Sequence, residues 1–293
     1  MKRNLLKIIS VAVVLLIATI GCKKDKNVTN VTLDQNDITL EIGETVTLKA
    51  TVYPEDAANK VVNWTSSNST VADVVNGIVT AKEVGKTTIT VITEEGNFTA
   101  ECVVIVTPEW VEINGVKWAK RNVDMPGTFA AKPEDVGMYY KWGSSIGWSC
   151  TDPLINSNGD TIWYDIPPGS GTTWSKENDP CPSGWHVPTV AEAQSLIDAT
   201  IAAEIWQWTT INGVNGRILG TDENTIFLPA AGVRFYDDGF INALGIEGYY
   251  WCNSALMMYG NLFGFDSEFI FGTCGFGGYT VRSNGYPLRC VAE

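Results

Sequence analysis

The sequence predicts two β-rich domains in tandem: an all-β sandwich over residues 28–107 and an α+β domain over residues 108–293 with two short helices and long loops. Three observations carry this. Val28 to Thr107 is rich in Val and Thr and alternates apolar with polar residues, the mark of half-buried strands. From Pro108 the texture changes, and ten of the eleven tryptophans lie beyond it. Only two stretches there read as helical, the one following Thr189 and the weaker Ile201 to Trp208, which sets an α+β class.

At the start of the chain, Lys2, Arg3 and Lys7 flank an apolar run from Ile8 to Ile20 that is short for a membrane span. Residues 1–21 therefore read as a secretory signal peptide. The run ends in "ATIGC", which resembles the lipobox of bacterial lipoproteins. That resemblance implies acylation of Cys22, residues 22–27 as a polar tether, and an exported protein lipid-anchored to the bacterial outer membrane or cell surface. Several acyl chains on one Cys make a stable anchor, which a single chain does not. Removing residues 1–21 leaves 17 basic against 33 acidic side chains, a net charge of −16. A surface that acidic argues against nucleic acid and anionic membrane surfaces as partners.

In residues 28–107 the strands follow one another as "ITLEIGETVTLKATVYP", "VVNWTSS", "TVADVVNGIVTA", "TTITVITEE" and "NFTAECVVIVT". Asn76-Gly77 is a two-residue hairpin turn, because both positions tolerate positive φ. Gly85-Lys86 and Glu95-Gly96 read as further turns, and Trp64 and Cys102 as core. Several short strands in this length make a two-sheet sandwich. The run "VNWTSSNSTVADVVNGIVTAKEVGKTTITV" resembles the group 2 bacterial immunoglobulin-like domain. That resemblance implies a stalk or spacer on a surface protein.

Residues 108–293 open with "VEINGVKWAKRNV", a hairpin around Asn114-Gly115, and Asn212-Gly213 offers another. Thr189 with Glu192 forms a capping box for the first helix. The elements "INGVKWAKRNV", "VGMYYKWG", "CPSGWHVPTVAEAQSL", "LPAAGVR", "GYYWCNSA" and "YPLRCV" resemble the Fibrobacter succinogenes major paralogous domain. Two of them are also similar to the C-type-lectin-like and formylglycine-generating-enzyme fold. The resemblance implies a C-type-lectin-like domain with paired terminal strands and a long loop region that contacts ligand. The enzyme branch needs a close pair of redox cysteines near the C-terminus. Cys274 has Tyr279 and Thr280 in that neighbourhood instead, so the resemblance carries the fold and not the enzyme.

Candidate chemistry is sparse. His186, the only histidine, has no nucleophile-elbow pattern and no zinc-ligand spacing around it, and reads as a turn residue beside a core Trp185. Asp237-Asp238-Gly239 reads as a turn before it reads as an acid–base pair. Asn156, Asn158 and Asp160 have calcium-loop spacing but lack the distal Glu. No metal or cofactor is expected. Rings such as Trp163, Trp174, Trp206, Trp208, Tyr249, Trp251 and Phe263 lie in or near loops, where a minority could mark a ligand face. The lectin-like resemblance puts ligand contact between Arg234 and Arg282, with Tyr236, Asp238, Tyr259 and Arg282 as the candidates. Asp160-Thr161-Ile162 resembles an O-glycosylation site of exported Bacteroidetes-type proteins, on Thr161. The same lectin-like resemblance lays the segment entering the first helix beside the final strand, which pairs Cys181 with Cys290. Cys252 and Cys274 are a second candidate bridge, with Cys102 and Cys150 free, and the alternative is that all six remain reduced. The reading is a surface lipoprotein, not an enzyme, that binds a glycan or a surface protein. The alternatives are an enzyme on the formylglycine-generating fold or a structural surface-assembly component.

Overall fold

The computed structural model describes residues 26–165, 167–222, 224–271 and 279–293. The signal peptide, Cys22 and Cys274 lie outside the described residues. The chain forms two compact units that part between Thr107 and Pro108.

In the first unit, alternating Val and Thr turn every second side chain inward, as strand periodicity requires. Asp37–Glu41 runs parallel to Thr99–Thr107. That strand pairs antiparallel with Gly85–Thr93, which pairs with Val62–Ser66. A second sheet orders Thr45–Thr47, Ile78–Ala81 and Ala72–Val75, and a two-stranded ribbon joins Asn30–Leu33 to Ala50–Tyr53. Leu40, Ile89, Cys102 and Val104 from the first sheet meet Val74, Val79 and Ala81 from the second in the main core. Trp64 packs on this core and on a smaller one around Val31, Val52 and Val91.

The Asn76-Gly77 turn has φ values of 52° and 82°. Glycine is required at the second position, since a Cβ there would stand 2.7 Å from the Leu48 carbonyl oxygen and 3.2 Å from the Trp64 ring. The Ser-Ser-Asn after this strand's Trp64-Thr65 closes on Thr87: Ser66 Oγ donates to Ala72 O (2.6 Å), and Asn68 N donates to Thr87 Oγ1 (2.9 Å). Gly85-Lys86 is not a turn. It opens the strand Gly85–Thr93, where Gly85 sits close against the Val71 side chain.

The second unit overturns the α+β expectation and the lectin-like fold with it. The unit is nearly all β, with one α-helix among the described residues, Val190–Ala202. That helix begins as its capping box requires: Glu192 N donates to Thr189 Oγ1 (3.1 Å), and Thr189 N donates to the Glu192 carboxylate (2.7 Å). The second helix expected at 201–208 does not form. Glu204 takes φ 56° just past the first helix, and Trp206–Ile211 is a strand. The run Trp-Gln-Trp-Thr-Thr-Ile is aromatic and β-branched, and Asn212-Gly213 after it (φ 48° and 85°) folds it back onto Val214–Thr221.

Among the described residues, four sheets make up the unit. Trp206–Ile211, Val214–Thr221 and Asn224–Pro229 form a meander. Trp110–Ile113 pairs with Val116–Ala119, whose Trp118 meets Val291 of the last strand, Val291–Ala292, and that strand also pairs with Trp185–His186. The third sheet orders Gly147–Trp148, Tyr139–Lys141, Gly285–Tyr286, Val233–Arg234 and Ile241–Asn242. In the fourth, Tyr259–Phe265 pairs with Gly248–Leu256, Ile270–Phe271 and Tyr279–Val281. The helix buries Ala193, Leu196 and Ile197 among Leu219, Leu228, Tyr250 and Phe263.

Two links tie the end of this unit to earlier parts of it. Cys181 and Cys290 are joined by a disulfide. Beside it, Arg289 is fully buried, with no carboxylate at its guanidinium among the described residues. Its Nε donates to Asn122 Oδ1 (2.8 Å), Nη1 to the carbonyls of Lys120 (2.7 Å) and Ala119 (3.1 Å), and Nη2 to Phe227 O (3.0 Å). Asn122 in turn donates to Val136 O (2.9 Å). Burial pushes the guanidinium down to about 10. Cys252 is fully buried, Cys102 is buried without a disulfide, and Cys150 is half-buried without one.

Candidate binding site

Backbone pairing next to the fourth sheet sets up a cleft. Arg282 N donates to Met258 O (3.0 Å), in the hairpin tip that joins Gly248–Leu256 to Tyr259–Phe265. Arg282 O accepts from Trp142 N (3.0 Å), so three distant parts of the sequence converge there. The guanidinium lies over the Trp142 ring, 4.3 Å from its centroid. Trp142 is itself locked in the core by donation from Nε1 to Cys252 O (3.0 Å). Arg282 Nη1 donates to Gly169 O (3.2 Å), and Gly169 is packed so closely on Gly143 that a Cβ on Gly143 would stand 2.8 Å from its Cα. The cleft is about 310 Å³ and is lined by Pro168, Tyr236, Met258, Val281, Arg282 and Ser283.

The electrostatics of this cleft are unusual. Arg282 is 7 % exposed, and no carboxylate stands within ion-pair distance of it among the described residues. Its Nε is sealed from solvent and has no partner. Burial pulls the guanidinium below its ordinary value. The surroundings are apolar and well exposed: Met257 at the hairpin tip is 81 % exposed, Leu256 and Met258 more than half, and Tyr236 55 %.

Of the four ligand candidates, the structure brings Tyr236 and Arg282 to one cleft. Asp238 is exposed and accepts from Phe240 N (2.9 Å), which makes it the turn residue of Asp237-Asp238-Gly239. Tyr259 begins the strand behind the tip and does not line the cleft. Leu256, Met257 and Met258 escaped the sequence reading because a Leu-Met-Met run resembles core. The following Tyr-Gly and the positive φ of Met257 (55°) are the only local marks of a tip.

The remaining candidates have local explanations. His186 pairs with the start of the helix, its Nε2 lying 3.2 Å from both Glu192 oxygens. The hydrogen bond to Glu192 raises the imidazole above its usual value. Burial alone would raise Glu192, but the bonds from His186 and Thr189 outweigh it and hold the carboxyl low. Trp185 is half-buried, edge-on to Phe129 with centroids 5.0 Å apart. Asn156 Oδ1 accepts from the backbone N of Asn158 (2.9 Å) and Asp160 (2.8 Å), so that loop closes on itself. Thr161 is exposed just after it. No group of three or more His, Cys, Asp or Glu gathers among the described residues. Trp163, Trp174, Trp251 and Phe263 are core side chains. Trp206 is exposed, and Trp208 and Tyr249 are half-buried.

A larger cleft of about 540 Å³ lies elsewhere on the second unit, with Glu134, Asp135, Val136, Cys150 and Leu244 among its walls. Its acids are engaged locally: Glu134 accepts from Asn212 Nδ2 (2.7 Å) and Asp135 from Lys132 N (2.9 Å).

Comparison with known proteins places the first unit. The model of the bacterial Ig-like domain (group 2) matches residues 27–104. An Ig-like virion protein of Serratia phage KSP90 is 43% identical over 82 residues, 27% of this chain and 32% of that protein. An alpha-L-arabinofuranosidase of Bifidobacterium longum subsp. longum is 36% identical over 132 residues, 43% of this chain and 12% of that enzyme. The chain thus spans a third or less of either relative. Among solved structures, domains 4 and 5 of the S-layer protein SbsC align at 22% identity and a TM-score of 0.24, covering 27% of this chain and 52% of that one. Scores at that level do not establish a shared fold. The family match rests on the first unit, and residues 27–104 are a group 2 bacterial Ig-like domain.

Proposed function

We propose that this chain is an exported surface protein, held to the membrane by a lipid on Cys22, whose second unit recognises a protein partner while the Ig-like domain serves as spacer. The observation that carries this reading is the exposed Leu256-Met257-Met258 tip standing at a cleft with a buried cation. Methionine side chains are flexible and polarizable, which suits an adaptable protein-binding surface. A glycan reading wants an extended face of exposed rings, and four of the rings suspected from the sequence are in the core. The Ig-like match supports a binding role over a catalytic one. Among the described residues no helix is long and apolar enough to cross a membrane.

The test uses the chain from residue 23 onward on parallel peptide and glycan arrays. Binding to peptide features should disappear in the Met257→Asp/Met258→Asp double variant while its near-UV circular dichroism is unchanged. Binding confined to glycans, or binding indifferent to the double variant, overturns the reading. Separately, Cys22→Ser should release the full chain from the membrane fraction, and retention there refutes the anchor.

A further inference from the structure

We infer that the Arg282 cleft is a carboxylate-binding site, and that the segment it takes from a protein partner carries an acidic side chain next to an apolar one. This rests on the protein-recognition reading above and names the chemistry it would use.

Three features of Arg282 point to an anion. Arg282 is 7 % exposed as a residue and its Nε is sealed from solvent, and burial of a charge is expensive unless the charge is paired. No carboxylate of the described chain pairs with it, although the protein is strongly acidic. The vacancy is also directional. Nη1 is used by Gly169 O, whereas Nε has no partner and Nη2 makes no hydrogen bond within the described chain. Nε is sealed from solvent, so the donor left for a ligand is Nη2, where a carboxylate oxygen would accept a charge-assisted hydrogen bond. Nη2 is not among the nitrogens sealed from solvent, and Arg282 lines the cleft.

The site is held before any ligand arrives. Trp142 supports the flat face of the guanidinium, the Gly169 carbonyl fixes its rotation, and the backbone on either side is tied to Met258 and Trp142. Little ordering remains to be done on binding, which favours affinity. Arg289 makes the contrast plain: it is fully buried, and its three nitrogens all donate to internal acceptors. The rest of the Arg282 cleft is apolar or neutral, with Pro168, Val281, Tyr236 and Met258 around it and Ser283 as a further hydrogen-bonding group. An acidic residue flanked by an apolar one satisfies both parts.

The experiment follows the Arg282 Nε–H resonance of ¹⁵N-labelled chain from residue 23 onward. The probes are a capped Phe-Glu-Phe tripeptide, its Phe-Gln-Phe counterpart and D-glucuronate. The glutamate peptide should shift the resonance and bind at least about tenfold more tightly than the glutamine peptide, since a charge-assisted pair is stronger than a neutral one. Arg282→Met should abolish that preference with its thermal midpoint preserved, and Arg282→Lys should restore only part of it. Equal binding of the two peptides overturns the carboxylate assignment while leaving protein recognition standing. Binding of glucuronate with neither peptide overturns the acidic-peptide assignment and the protein reading with it. No shift with any of the three overturns the site.

Discussion

Two buried arginines in one domain should respond very differently to the same substitution. In Arg289→Met, four acceptors lose their donor: Asn122 Oδ1 and the carbonyls of Ala119, Lys120 and Phe227. Bonds from a charged donor contribute about 1.5–3 kcal/mol each, so the gross loss is on the order of 6–12 kcal/mol. Removing the guanidinium also removes its desolvation penalty, several kcal/mol. The remainder is a destabilisation of about 3–5 kcal/mol, a large share of the ~5–15 kcal/mol that holds a typical domain folded. Arg282→Met surrenders one 3.2 Å bond and the contact with Trp142, roughly 1–2 kcal/mol, against a desolvation gain of similar size, smaller than that of Arg289 because Nη2 is not sealed from solvent. It should leave stability within about 1 kcal/mol of the parent. Urea unfolding followed by tryptophan fluorescence reads the relevant unit, because ten of the eleven tryptophans lie beyond Pro108. Equal midpoints and slopes for the two variants would refute the reasoning, since they would mean that the Arg289 acceptors find other donors at no loss.

Other perturbations follow from the same structure. His186→Ala should cost about 0.5–1 kcal/mol in a limited pH window. The raised imidazole contributes below about pH 6.5 and is lost as pH rises through its folded value; the lowered Glu192 contributes above about pH 4.5 and is lost as pH falls through its own. A penalty from His186→Ala that is equal at pH values inside and well above that window contradicts the pairing. Gly77→Ala should destabilise the first unit by about 1–3 kcal/mol, since it combines positive φ with a clash at Leu48 O; an unchanged thermal midpoint for that unit counts against it. Cys181→Ala/Cys290→Ala opens a loop across a sequence separation of 109, for which chain entropy gives about 4–5 kcal/mol as an upper figure. Recovery of both cysteines as free thiols in non-reducing peptide maps of the exported protein would remove that expectation.

What could be read from the sequence was local backbone chemistry. Asn76-Gly77, Asn114-Gly115 and Asn212-Gly213 announce their turns because few other pairs accept two positive φ values. Thr189 and Glu192 announce the helix start because both halves of the capping box lie within one turn. The false helix at 201–208 shows where local reading stops: its period is ambiguous over eight residues, and the hairpin that claims Trp206–Ile211 is decided by pairing with Val214–Thr221. Arg282 and Tyr236 were visible as candidates, but not what distinguishes them. That Arg282 is buried over a ring 140 residues earlier, and lacks a counter-charge, is a property of the folded chain alone.

The disulfide has a consequence for survival in a protease-rich setting. Met257 and Met258, at the most exposed hairpin tip near the cleft, lie inside the covalent ring closed by Cys181 and Cys290, as do Tyr236 and Arg282. A single cut in the backbone anywhere in that ring leaves one molecule, with both new ends still fastened to the rest. Nicked protein would run as an intact chain until reductant is added, and the cleft's own residues would stay tethered to one another after the damage.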